Sequence, residues 1–272
     1  TKWSREGISA RRKRNQGRLR ELKILRAERA KFVAKNQRAM RMETGPADGG
    51  GQLVLEAINL CASVPITYPD PAKSDIKRGH HQRRTLLKHF NLLVRRSDRI
   101  GIVGPNGVGK STLVRLLLNI GKPDSGRVRH GFDLIPAYFD QRREALDRDR
   151  SPWTTLTDGG GDMIEVAGQT KHVINYLRDF MFTDVKMNQR VSTLSGGEQN
   201  RLLLAKLFAQ SHNFLVLDEP TNDLDIEMLE VLEERLVHYN GSLIVVSHDR
   251  AFLDNVVTSI LVFEADGKIV EY

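Results

Sequence analysis

"GPNGVGKST", Gly104 to Thr112, decides what kind of domain this chain builds. It follows the apolar run "RIGIV" and leads into "LVRLLL", so a strand, a glycine-rich loop and a helix come in that order. Glycines let backbone N–H groups close around an anion, and the start of the following helix adds the positive end of its dipole. The spacing G-x-x-x-x-G-K-[ST] therefore predicts a triphosphate cradle made by Gly104, Pro105, Asn106, Gly107, Val108, Gly109, Lys110, Ser111 and Thr112. In such a loop Lys110 reaches the β- and γ-phosphates and the Ser111 hydroxyl ligates Mg2+.

Working outward, a site that cleaves a phosphoanhydride also needs acid at a strand end. "NFLVLDEP" supplies it, with Phe214 to Leu217 reading as a buried strand and Asp218 and Glu219 emerging at its carboxyl end. Ligands of open α/β sheets bind outside those ends. Asp218 is expected to hold Mg2+ through water, and Glu219 to polarise the attacking water. A third strand, "SLIVVSH", ends on His248, which is placed for a γ-phosphate contact. Gln141, in "AYFDQ", is a weaker candidate for a catalytic and metal contact, since a surface glutamine is the ordinary reading.

"LSGGEQNRLLLAKLF", Leu194 to Phe208, is a second anion-binding candidate. Ser195 followed by Glu198 is a capping-box pattern at the start of an apolar helix. Gly196 and Gly197 leave the first turn without side chains, at a cost of roughly 1 kcal/mol each in helix propensity. Capping alone does not call for that, whereas close docking of an anion does. Asp218 and Glu219 belong with the loop at Lys110, so this helix end is expected to serve a different nucleotide.

Charge divides the chain. Residues 1–45 hold 15 Lys/Arg against 4 acids, while the remainder holds 27 against 30, so the net charge of +8 resides at the N-terminus. Residues 18–42 lack Gly and Pro and are rich in helix formers, with Leu22, Leu25 and Phe32 on one stripe. Before them, Arg11, Arg12, Lys13, Arg14 and Arg18 form a basic tip that suits a polyanion, nucleic acid first. "TGPADGGG" closes this segment as a flexible joint over 46–51, and 52–272 alternates short apolar runs with helical stretches, the pattern of an α/β domain. Residues 63–84, rich in Pro, Lys, Arg and His, read as a polar loop insertion. The single cysteine, Cys61, permits no internal disulfide and fits a reducing, cytoplasmic setting. No apolar run approaches the roughly 20 residues that span a bilayer.

Taken together these stretches resemble an ATP-binding cassette over residues 52–272: "GPNGVGKST" as Walker A, Gln141 as the Q-loop, "LSGGEQ" as the signature, "LVLDEP" as Walker B and His248 as the H-loop. The resemblance implies a P-loop NTPase fold with a mostly parallel core sheet, an antiparallel β subdomain and a helical subdomain at about 142–212. It also implies ATP and Mg2+ as cofactors, and head-to-tail pairing in which Ser195, Gly196 and Gly197 clamp a γ-phosphate held by a second cassette. That cassette would lie in the same parent chain or in a second copy of this fragment. "DEPTNDLD" resembles the ABC-F branch, whose commoner wording has His where Asp223 stands. ABC-F proteins carry two cassettes joined by a basic helical linker and have no membrane domain, so residues 1–45 look like linker and the rest like a second cassette. "GISARRKRNQGRLR", "YFDQRREALD", "HVINYLRDFMF" and "SGGEQNRLLLAKLF" are close to the Uup-like group. The resemblance implies ribosome and tRNA as partners; a DNA-binding ATPase acting on branched DNA is the alternative, and the ATPase subunit of a membrane transporter a lesser one. One departure stands out: Ala62 occupies the position where cassettes place an aromatic residue against adenine. Tyr68, His80 or Arg83 is the expected substitute.

Overall fold

The computed structural model describes Ile24, Ala27 and residues 53–65, 83–140, 146–166, 168–264 and 267–272. The expected linker (1–45) and joint (46–51) lie outside these residues, apart from Ile24 and Ala27, which are helical. The chain divides into two compact units. Among the described residues, one comprises Ser97–Gly101 and Ile135–Ser259; the other comprises 53–65, 83–96, Ile102–Leu134 and Ile260–Tyr272.

The unit that carries the glycine loop is mainly antiparallel. β1 (Leu53–Pro65) lies between β2 (Arg83–Arg95) and β4 (Ser125–His130), pairing antiparallel with both. Leu55, Ala57 and Leu60 of β1 and Leu87, Phe90 and Val94 of β2 are buried and form the core of this sheet. Spacing of the buried positions shifts where the register slips, at Ala57/Leu60 and Leu60/Ala62. The polar insertion is shorter than 63–84, because β1 runs on to Pro65 and β2 starts at Arg83; cross-strand pairs Ser63–Thr85 and Val64–Arg84 extend the ladder into it. Helix α1 (Lys110–Leu117) follows the glycine loop directly and buries Leu113, Val114, Leu116 and Leu117.

The other unit is built on parallel strands. β3 (Arg99–Val103) starts here, and β5 (Pro136–Phe139), β8 (Phe214–Asp218) and β9 (Ser242–Val246) follow in the order β3-β9-β8-β5. β8 pairs parallel with both β5 and β9, and every residue of β8 and β9 is buried. Strands covered on both faces read as unbroken apolar runs, which is why "FLVL" and "LIVV" were legible. Arg99, itself buried, closes one end of the sheet: its guanidinium donates to the carbonyls of Leu236, Val237 and Tyr239 at the end of α6 (Ile226–Val237).

The segment expected to be helical, about 142–212, holds α2 (Pro152–Leu156), α3 (Val173–Asp179), α4 (Asp184–Met187) and α5 (Gly196–Ala209), but also a β-hairpin. β6 (Met163–Val166) and β7 (Gln169–His172) pair antiparallel, and "MIEV" alternates exposed and buried positions as a strand does. Its helices are locked by Tyr176, fully buried, whose hydroxyl donates to the Ala205 carbonyl at 2.8 Å, and by Arg235 stacked 4.3 Å over the Phe180 ring. Helix α7 (Arg250–Val256), a short 3-10 turn (Val191–Thr193) and the hairpin strands β10 (Ser259–Phe263) and β11 (Ile269–Glu271) complete the elements among the described residues.

Candidate functional site

The glycine loop is folded around its own lysine. Lys110 is buried, and its Nζ donates to the carbonyls of Gly104 at 2.8 Å and Pro105 at 3.3 Å. Two backbone carbonyls thus fix the ammonium across its own loop. Gly109 caps α1 with φ 120°, and an ideal Cβ there would lie 3.1 Å from Leu86 Cβ. The positive φ strains any residue with a side chain there, and a Cβ would also press on Leu86. α1 has no side-chain N-cap, so its first turn presents backbone N–H groups rather than a Ser or Asp oxygen. Ser111, in that first turn, is exposed.

In the parallel unit, the ends of two neighbouring strands converge. Asp218, last residue of β8, is buried and accepts a hydrogen bond from the Tyr138 hydroxyl at 3.4 Å. The next residue, Glu219, adopts a left-handed φ of 51°, and its N–H donates to the Val246 carbonyl of β9 at 2.8 Å. That tether turns the side chain out of the strand direction toward the end of β9. There His248 Nε2 meets Glu219 Oε1 at 3.3 Å. The two residues expected to handle the water and the γ-phosphate are thus adjacent, 29 positions apart in sequence but joined by strand pairing. A left-handed backbone at a non-glycine residue is rare and stores strain characteristic of functional turns.

At the third predicted element, Ser195 caps α5 with a complete capping box: the Glu198 N–H donates to Ser195 Oγ at 3.3 Å and the Ser195 N–H to Glu198 Oε2 at 2.7 Å. Burial alone would raise the Glu198 carboxyl, but the hydrogen bonds from Ser195 and the Lys186 ammonium 3.5 Å away outweigh it and hold the group below its ordinary range. The structure adds a reason for Gly197 that the sequence did not show. An ideal Cβ on Gly197 would stand 2.7 Å from the Asp223 carbonyl oxygen. Asn200, one turn on and 1% exposed, donates its Nδ2 to the Asn222 carbonyl at 3.2 Å. Gly197 and Asn200 therefore seat the Asn222–Asp223 segment, at which Asp223 takes φ 61°. Bare backbone at Gly197 thus has an internal partner as well, in the Asp223 carbonyl.

Gln141 lies outside the described residues, as do Arg11, Arg12, Lys13, Arg14, Arg18, Tyr68 and His80. Sequence reasoning missed Tyr138, whose place in "AYFD" beside a strand-end acid was the available signal, and Asn200, whose burial no local pattern announces. Ala62 is buried, and Arg83 is hydrogen-bonded to Ser63 and Asp124.

A family model described as "ABC transporter" matches residues 87–222. The "ATP-binding protein Uup" of Escherichia coli (strain K12) is 43% identical over 270 residues, covering 99% of this chain and 40% of that protein. The "Energy-dependent translational throttle protein EttA" of the same strain is 35% identical over 267 residues, covering 98% of this chain and 44% of that protein. This chain therefore spans about two fifths of the length of these relatives. Among solved structures, a dimeric post-hydrolysis state of the ATP-binding cassette MJ0796 bound to ADP and Pi is similar with a TM-score of 0.59 at 19% identity, over 80% of this chain and 97% of that one. At that identity the likeness concerns the fold.

Proposed function

This chain belongs to the ABC transporter family, and from that premise we propose that it is an ATP-hydrolysing cassette of an ABC-F protein, closing on a second cassette to act on the ribosome or tRNA in translation. The observation that carries the catalytic reading is the Glu219–His248 pair at the ends of adjacent strands, next to the buried Asp218. Glu219 takes the proton of the attacking water, and His248 orients Glu219 while contacting the γ-phosphate. Lys110 and the N–H groups of residues 107–112 hold the triphosphate. Mg2+, when bound, would neutralise phosphate charge; Ser111 and Asp218 are the residues that would hold it, each carrying a hard oxygen donor of the kind it prefers. Among the described residues no cluster of three or more His, Cys, Asp or Glu would hold a metal alone, and Mg2+ characteristically takes few protein ligands together with substrate phosphates. Ser195 and the first turn of α5 serve the nucleotide of the second cassette.

Support for the ribosomal role comes from the translational name of a relative at 35% identity and from the basic segment 1–45. Among the described residues no helix is long and apolar enough to cross a membrane. The test uses Glu219→Gln with ATP and Mg2+: nucleotide should stay bound unhydrolysed while the chain co-sediments with ribosomes. Neutralising Arg11, Arg12, Lys13 and Arg14 should weaken that co-sedimentation and flatten its salt dependence. Near-normal turnover by Glu219→Gln overturns the catalytic reading. Preferential capture by branched DNA over ribosomes and tRNA overturns the ribosomal one.

A further inference from the structure

We propose that Lys186 keeps the start of α5 receptive to phosphate by cancelling the charge of Glu198, the acid with which that helix caps itself. The inference rests on reading Ser195 and the first turn of α5 as serving the nucleotide of a second cassette. A capping box and an anion site make opposing demands on one helix end. The box places a carboxylate among the free N–H groups, where it gains from the positive end of the dipole. A phosphate arriving at the same N–H groups meets that carboxylate as a like charge. In α5 the conflict is direct. Glu198 is the one charged residue in a first turn of Gly196, Gly197, Glu198 and Gln199, and its Oε2 accepts the Ser195 N–H at 2.7 Å.

Lys186 stands where it removes that conflict. Its Nζ lies 3.5 Å from Glu198 Oε1, so one carboxylate oxygen serves the Ser195 N–H and the other the ammonium. The Glu198 side chain is 15% exposed and that of Lys186 35%, so water screens the pair less than it does on an open surface. Burial raises the Glu198 carboxyl, yet the bonds from Ser195 and the Lys186 charge bring it below its ordinary range. The acid is therefore ionised at neutral pH, and its charge is balanced by a cation rather than by a proton. Packing on both sides fixes where Lys186 stands: Met187 and Val191 are buried, and Arg178 clamps Asp184 at the start of α4 through three bonds of 3.0, 3.1 and 3.2 Å. Cations on either side in sequence are engaged elsewhere, Arg190 with Asp149 at 3.9 Å and Arg201 with the Met181 carbonyl at 3.3 Å. A phosphate approaching Ser195, Gly196 and Gly197 thus meets a neutral pair instead of a bare anion.

The test is a double-mutant cycle in the intact parent protein, read as steady-state ATP turnover with Mg2+, with urea unfolding to follow stability. Lys186→Ala leaves Glu198 charged and uncompensated, and should raise KM for ATP about fivefold while kcat stays within about twofold, the pattern of a lost binding contribution. Lys186→Arg keeps the charge and should match the parent within about twofold. Glu198→Gln keeps the capping box but removes the acid, so alone it should not raise KM, and combined with Lys186→Ala it should bring KM back within about twofold of the parent. A merely structural ion pair behaves otherwise, because Glu198→Gln breaks it as surely as Lys186→Ala does. An unchanged KM in Lys186→Ala overturns the proposal. So does a Glu198→Gln single or double variant as poor as Lys186→Ala. Ser195→Glu, which sets a second carboxylate at the helix start, should abolish turnover; if turnover instead stays at the parent level, the reading of α5 as nucleotide-facing fails.

Discussion

Replacing Gly197 by alanine tests whether that glycine serves the segment at Asn222–Asp223. The new Cβ would stand 2.7 Å from the Asp223 carbonyl oxygen, closer than real Cβ contacts come, so the two must separate by roughly 0.5 Å to reach even a tight fit. Asp223 has little freedom to yield, because it already holds a left-handed φ of 61°. Overpacking of this kind costs about 1–3 kcal/mol. Alanine recovers about 1 kcal/mol through its better helix propensity and a less flexible unfolded chain. The expected net change is a loss of about 0–2 kcal/mol, small beside the 5–15 kcal/mol typical of a whole fold (roughly). The variant should therefore fold, with the Asn222–Asp223 segment displaced. Urea unfolding followed by circular dichroism reads the stability, and ATP turnover in the intact parent protein reads the consequence, expected to fall tenfold or more. Ser195→Ala is the control: it removes a cap worth about 1 kcal/mol but leaves the Gly197–Asp223 approach intact. A Gly197→Ala protein stabilised by about 1 kcal/mol, as an unconstrained helix glycine would be, refutes the reasoning.

Arg99→Lys should cost about 2 kcal/mol in urea unfolding, because a lysine cannot reproduce the fork that serves three carbonyls and would leave at least one of them buried and unmet. His212 gives a pH signature: burial lowers its pKa although the Leu207 carbonyl favours the charged form. The unfolded chain then binds the proton more readily than the folded one, so stability is full above the unfolded value near 6.5 and declines as pH falls below it. Melting temperature should drop from pH 7 toward pH 5.5, and His212→Gln should flatten that decline. For Glu198 the folded pKa is depressed below its ordinary 4.5, so its contribution is full above that value and lost only as pH falls through the lower folded one. Glu198→Gln should therefore narrow the difference from the parent in acid, seen as converging melting temperatures below pH 4.

What the sequence determined by itself is what lies within a few residues of a signal. The loop at Gly104–Thr112, the capping box at Ser195 and Glu198, and the fully apolar strands "FLVL" and "LIVV" all follow from spacing, backbone freedom and burial on both faces. The β6–β7 hairpin was missed because its strands are four residues each, too short for alternation to stand out within a stretch read as helical. Tertiary structure decided the pairings between distant positions. His248 reaches Glu219 only because β8 and β9 are parallel neighbours in register. Gly197 meets Asp223 only because α5 and the segment after β8 pack together, which no helix-local pattern encodes. The convergence of Ser63, Arg83 and Asp124 depends on strand register across gaps of 20 and 41 residues. Local chemistry fixes which groups a segment offers; the contacts that orient them are set by chain folding, where sequence separation carries no information about distance.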